Sequence, residues 1–315
     1  MVRRLQGASP GFMAYRRTLK RGVGCMGIGL HTGRPVRLDL KPAPAEHGVR
    51  FRRTDVGVEI PAHIDHLGRL DHATTLSRDG VSIDTVEHLL SALYSLGVDD
   101  VLVEVDGPEI PVMDGSAAPF VILIHEAGLR PHKVSRRYLK MLRPVEVVRG
   151  AKWARLSPSD QFRVSYTIGF DHPLLRHQTA SVRVSADTYA ETIAPARTFG
   201  FLREVEMLRK AGLALGGSLE NAIVVGETGV LNQKLRFEDE FVRHKILDAI
   251  GDLSLLGYPV VGHLEASKAG HALHAALTRA VLDSPDAWAL VTLPQLPVVT
   301  LPSPASPAPL VPQRS

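Results

Sequence analysis

The stretch "EFVRHKILDAIGDL", Glu240 to Leu253, decides how the chain is read, because it carries two patterns at once. A helix turns roughly 100° per residue, so Val242, Ile246, Ala249, Ile250 and Leu253, continued by Leu256, form an apolar stripe at helical spacing. His244, Asp248 and Asp252 recur at every fourth residue, and positions four apart stack on one face. A solvated face would also carry Lys, Glu or Gln. Here the stripe is flanked by Phe241, Leu247, Gly251 and Leu255 and relieved by Lys245, as the wall of a cavity would be. With 14 His and 18 Asp in 315 residues, chance supplies about one His-x3-Asp pair, so the spacing needs support from elsewhere.

The bulk numbers bound what that support can be. A chain of 315 residues can bury a large core and is expected to divide into two domains. Hydrophobic content of 44% and charged content of 22% are those of an ordinary soluble protein. A net charge of +4 suits an anionic small molecule, or a weak association with a membrane surface, as readily as nucleic acid. Aromatics make up only 5%, and basic residues do not alternate with stacking rings, so nucleic acid is not expected as a partner. Cys25 is the one cysteine, which rules out an internal disulfide and a Cys-based zinc cluster. A metal would therefore rely on His and carboxylates. The opening "MVRRLQGASPGFMAYRRTLKR" lacks the apolar core of a signal peptide, and no run of about 18 apolar residues occurs, so the expectation is a cytoplasmic protein without a membrane span.

Along the chain, "PVRLDLKP", "VRFRRTD" and "VEIPAHI" alternate as strands do. "DTVEHLLSALYSLGVDD" reads as a helix capped by Asp84 or Thr85, buried through Val86, Leu89, Leu90 and Leu93, and closed by Gly97. The strand "VLVEVDG" follows, and Ser116 caps the helix "AAPFVILIHEAG". "RPHKVSRR", 130–137, is polar and basic and reads as a linker. Strands then start again with "YLKMLRPVEVVRG", "KWARLSP", "FRVSYTIGF" and "SVRVSA", followed by a helix near 187–193 and the loop "APARTFGFL". A helical segment "REVEMLRKAGLALGG", a strand "NAIVVGE", the helix 239–256, a strand "VVGHLEAS" and a helix "HALHAALTRAVL" complete the pattern. The expectation is an α+β protein with domains 16–129 and 138–290. A basic extension, 1–15, and a Pro-rich tail, 291–315, expected to be disordered, flank them.

A hydrolytic zinc site uses three protein ligands and leaves a position open, so His244 and Asp248 need a third. "HEAGL" fails as a zincin helix, because Leu129 stands where the second His belongs. His47, His63, His66, His132 and His177 sit in polar, turn-like stretches that favour solvation. His88 lies inside an apolar helix directly after Glu87; the pair is either a half-exposed helix edge or a ligand with a base beside it. His271 opens a helix, where it is a turn residue, a core His, or a general acid. A helix N-terminus lowers a His pKa, so the last role needs a carboxylate, and Asp252 is placed to supply one.

"TVEHLLSAL", "PEIPVMDGSAAPF", "ARTFGF", "LRFEDEFVRHKILDAIGDL" and "SKAGHAL", with "GIGLHTG" at 27–33, together resemble the UDP-3-O-acyl-N-acetylglucosamine deacetylases. These are zinc enzymes of lipid A synthesis in Gram-negative bacteria, and the resemblance covers roughly residues 16–290. One such string is a weak signal; five long ones in the right order are specific. The resemblance implies two layered βααβ domains with small inserts, facing each other across one cleft that holds the active site. It implies one zinc ion held by His88, His244 and Asp248, with Glu87 as general base. His271 would be the general acid with Asp252 as its partner, and Thr198 would lie near the developing oxyanion. Lys245 and Lys268 would favour the diphosphate, and the segment 199–225 would form a tunnel for the acyl chain lined by Phe199, Phe201 and Gly217. The implied substrate is UDP-3-O-[(R)-3-hydroxyacyl]-N-acetylglucosamine, hydrolysed at its acetamide by a monomer. On the residues alone, Phe201, Val205, Leu208, Leu213 and Leu215 either line that tunnel or pack on the core. A non-catalytic ligand-binding protein and a zinc amidohydrolase of another amide are the rival readings.

Overall fold

Strict alternation builds the sheets. In Pro35–Pro42, Val36, Leu38 and Leu40 point into the core while their neighbours are less buried or exposed, as one covered face requires. The computed structural model describes residues 3–4, 13–232 and 234–292. It contains two five-stranded sheets. The first runs, edge to edge, Val23–Ile28, Pro35–Pro42, Val101–Val105, Val49–Arg53, Val58–Pro61. The second runs Val145–Arg149, Lys152–Ser157, His263–Ser267, Arg163–Ile168, Gln178–Arg183. Numbered by appearance in the chain, the strands of each sheet stand in the order 1-2-5-3-4, with strands 5 and 3 parallel and the other pairs antiparallel. The two halves share a topology although no sequence repeat is visible.

Six α-helices lie among the described residues: α1 Glu87–Leu96, α2 Ala118–Ala127, α3 Ala186–Thr192, α4 Leu202–Lys210, α5 Glu240–Leu253 and α6 His271–Leu282. In each half one long helix, α1 or α5, precedes the fifth strand and another, α2 or α6, follows it. α1 and α5 pack on each other, and one apolar cluster runs through both sheets and both helices. Gly251 makes the close packing feasible: a Cβ there would fall 2.1 Å from the Glu87 carbonyl oxygen. None of these helices is long and apolar enough to cross a membrane.

Several local expectations change. The segment 130–137 is not a loop: Leu129–Ser135 is a strand antiparallel to Tyr15–Leu19. Its polar residues occupy the open side of a two-stranded ribbon, and Arg136 beyond it is buried with Nε 2.8 Å from Asp99. α1 has no side-chain cap, because Thr85 adopts a left-handed φ of 62° and Asp84 accepts from the Thr75 hydroxyl instead. Ser116 does accept from the Ala118 N–H at the start of α2. At the two ends, Arg3–Arg4 pairs with Trp288–Thr292, so the strand reaches two residues into the tail. The rest of the tail, 293–315, and residues 1–2 and 5–12 of the extension lie outside the described residues.

Candidate metal centre and active site

α5 is buried at twelve of its fourteen residues, including His244, Asp248 and Asp252. The apolar border read from the sequence encloses the polar stripe. His88 comes from the first turn of α1, brought alongside by the Gly251 contact. Its Nε2 lies 3.6 Å from Asp248 Oδ1, and His244 Nε2 lies 3.3 Å from the same oxygen. One donor atom from each residue falls within 4.8 Å of the others. His244 Nδ1 sits 3.1 Å from the Ala196 carbonyl, so that nitrogen carries the hydrogen and Nε2 keeps its lone pair for the centre. Burial pushes the His244 pKa down to about 4, which keeps the ring neutral as a ligand must be.

Asp248 decides whether a cation fits. Its Oδ2 accepts from Lys245 Nζ at 2.6 Å, but Oδ1 is buried without a hydrogen-bond partner among the described residues. Burial alone would raise the Asp248 pKa, yet His244 and Lys245 hold it well below the usual carboxylate range. A buried anionic oxygen left unpaired between two imidazole nitrogens is costly unless a cation takes all three. Two imidazoles and one carboxylate suit a zinc ion with one position open.

A second group lies beside the first. His271 Nδ1 and His274 Nδ1 are each 2.8 Å from Asp252 Oδ2, and Thr74 Oγ1 donates to Asp252 Oδ1 at 2.5 Å. Burial disfavours the charged form of His271, but the Asp252 carboxylate overrides it and lifts the pKa to about 9. Thr74 also donates its backbone N–H to Glu87 Oε2 at 3.0 Å, and burial raises the Glu87 pKa. Thr74 thus ties Glu87 to the Asp252 group.

Glu87, His88, Thr198, His244, Lys245, Asp248 and His271 all line one cavity of about 210 Å³, and Phe199 and Phe201 lie on its wall. Asp252 stands behind His271. Thr198 is held through its backbone, donating to Gly115 and accepting from Ile223, and it lines the cavity. The neighbouring Arg197 donates three times to the buried Glu240 carboxylate at the start of α5, at 2.9 to 3.1 Å, which fixes Thr198 relative to His244.

Of the other three expected substrate contacts, Lys245 lines the cavity and two lie off its wall. Lys245 Nζ pairs with Asp248 Oδ2 at 2.6 Å. Lys268 is exposed in the turn before α6, with φ 52°, and does not line the cavity. Gly217 is also off the wall; Gly216 makes the close approach, where a Cβ would fall 2.3 Å from the Gly29 oxygen. In the insert, Phe199 and Phe201 meet Phe170 at centroid separations of 5.8 and 5.6 Å, while α4 has no buried residue and Leu215 is 54% exposed. Phe201 thus packs into the apolar core, whereas no residue of α4 belongs to it. Sequence reasoning missed Thr74, Arg197, Glu240 and His274; only His274, three residues after His271 on one helix, left a readable spacing.

A family model for UDP-3-O-acyl N-acetylglycosamine deacetylase matches residues 16–283. A UDP-3-O-acyl-N-acetylglucosamine deacetylase of Anaeromyxobacter dehalogenans is 51% identical over 277 residues, 88% of this chain and 90% of its own. The proteins of the same name from Myxococcus xanthus and Pseudomonas entomophila are each 51% identical; they cover 88% and 89% of this chain and 89% and 94% of their own.

Proposed function

The chain belongs to the UDP-3-O-acyl N-acetylglycosamine deacetylase family, and on that footing we propose that it hydrolyses the acetamide of UDP-3-O-[(R)-3-hydroxyacyl]-N-acetylglucosamine, releasing acetate and the free amine, with one zinc ion held by His88, His244 and Asp248. That reaction is the committed step of lipid A biosynthesis. The observation that carries the mechanism is that a base and an acid open on the same cavity as the unpaired Asp248 oxygen. When bound, zinc would polarise the acetamide carbonyl and lower the pKa of water at the site.

The remaining work falls to the chain's own side chains. Glu87, oriented by the Thr74 N–H and made more basic by burial, takes the proton from the attacking water. His271 is held protonated by Asp252 and gives its proton to the leaving nitrogen, so no amide anion has to depart. Thr198, on the cavity wall, would meet the carbonyl oxygen as it gathers charge. Lys245 neutralises Asp248, which leaves the exposed Lys268 as the better cation for the diphosphate. The Phe170, Phe199 and Phe201 rings, with α4 beyond them, form the path for the acyl chain, where each buried methylene contributes about 0.8 kcal/mol.

An acetate-release assay on the purified protein with the UDP-acyl-sugar tests the proposal. Turnover should vanish with a chelator, return with zinc, and fall steeply for the sugar lacking its 3-O-acyl chain. Acetate release indifferent to the acyl chain would favour an amidohydrolase of another amide, and no release at all would leave a binding protein.

A further inference from the structure

Two imidazoles share one carboxylate oxygen at the back of the cavity. His271 and His274, one turn apart on α6, each place Nδ1 2.8 Å from Asp252 Oδ2. An ionised carboxylate only accepts, so both rings present an Nδ1–H to it. For His271 this leaves Nε2 for the cavity. For His274 it leaves Nε2 3.0 Å from the Tyr166 hydroxyl, which itself lies 2.8 Å from the Ala269 carbonyl. His274 is 2% exposed and Tyr166 is fully buried, and neither lines the cavity, so His274 touches no substrate. Filling this space would not need a polar ring, whose burial has a cost that an aliphatic side chain avoids.

We propose that His274 is a positioning residue: by donating Nδ1–H to Asp252 Oδ2 it draws part of that carboxylate's negative charge away from His271, and so sets the pH above which His271 no longer holds the proton it delivers. The inference rests on the reading of His271 as the acid.

The sign follows from the neighbours. The charged and titratable groups facing His274 are Asp252 and Lys245 from α5, Tyr166 from the sheet, and His271 on its own helix. Those facing His271 are Asp252 and Asp248 from α5 and Glu87 from α1. Asp252 alone is hydrogen-bonded to both rings. The Tyr166 hydroxyl has two arrangements. Donating to His274 Nε2, it leaves that ring neutral; donating to Ala269, it requires an Nε2–H and a cationic ring. In both, the Nδ1–H on Asp252 remains, and a neutral donor and a cation alike weaken the hold of Asp252 on the His271 proton. Removing His274 therefore raises the proton affinity of His271.

Two substitutions separate this role from packing. His274→Leu keeps most of the volume and removes the donor. His274→Asn keeps a donor, because the Asn amide nitrogen is bonded to Cγ as Nδ1 is, but loses the reach to Tyr166. In the pH profile of kcat/KM for the zinc-loaded enzyme, His274→Leu should move the alkaline limb upward by about one unit, tenfold in proton affinity. His274→Asn should leave the limb near the wild-type position. A limb unmoved in the Leu variant, or moved equally in both, overturns the proposal. Wild-type protein with 15N-labelled histidine provides a test that needs no variant. Its spectrum should show Nδ1 of His274 protonated at neutral pH, and a bare Nδ1 overturns the proposal. An alkaline limb that survives His271→Ala would instead overturn the reading of His271 as the acid, and this proposal with it.

Discussion

α1 and α5 hold equivalent places in two halves of the same strand order, yet they contribute from different parts of the helix. α1 gives Glu87 and His88 from its first turn, immediately after the left-handed Thr85. α5 gives His244, Asp248 and Asp252 from three successive turns along its buried face. Neither helix offers all three candidate ligands, and the candidate site exists only where the start of one meets the middle of the other. A shared topology brings two like helices together; the chemistry comes from how unlike their sequences are.

The sharpest way to break this arrangement is to separate the helices. Gly251→Ala places a Cβ 2.1 Å from the Glu87 oxygen, a backbone atom that cannot rotate aside. The first turn of α1 must shift, and we expect metal content to fall and turnover to drop by on the order of 10² or more, with roughly 1–3 kcal/mol of stability lost to overpacking. Wild-type metal content and melting temperature in that variant would mean that the close packing does not hold the site together.

Next come the two groups proposed to transfer protons, Glu87 on α1 and His271 at the start of α6. Glu87→Ala and His271→Ala should retain the metal and lose turnover by roughly 10²–10⁴. Steady-state kinetics beside elemental analysis would separate these variants from the ligand variants, since loss of metal in either would make that residue part of the metal site.

The pH dependence follows from His271. Its pKa is raised to about 9 in the fold, above the unfolded value near 6.5. The stability it contributes is therefore complete below about 6.5 and is lost as pH rises through about 9. Activity should fall over the upper part of the same window as His271, the proposed acid, loses its proton. Chemical denaturation at a series of pH values should show this slope in the wild type and not in His271→Ala.

The legible parts of the molecule were those where a periodicity and a chemical type coincide. Helix α5 could be read because its apolar stripe and its His/Asp stripe occupy one stretch, and α1 because His88 interrupts an apolar face. Thr74 could not be read: it is one polar residue in an irregular segment, and only the fold brings it between Glu87 and Asp252. Polar composition concealed the strand Leu129–Ser135, because an exposed ribbon needs few apolar residues. Lys268 illustrates the converse, since a motif fixes its place in the chain but not its distance from the cavity wall. The expected cap of α1 is absent because Asp84 satisfies Thr75 across a turn instead of its own helix.

The smallest effect on the fold is expected at α4, the opposite of α5 in having no buried residue. Leu208→Asp, at a half-buried position outside the apolar core, should change stability by less than about 1 kcal/mol. If α4 carries the acyl path, the same change should raise KM for long-acyl substrates about five- to tenfold, within the loss of one or two methylene contacts. An unchanged ratio of long- to short-acyl turnover would remove α4 from the site.

The account depends most on one ion shared between α1 and α5, and metal stoichiometry after a single α1 substitution tests that directly. Elemental analysis should find about one zinc per chain in the wild type and a small fraction of that in His88→Ala, although His244 and Asp248 are untouched. Full occupancy in His88→Ala would contradict the shared site and return the His244–Asp248 pair to an ordinary buried contact.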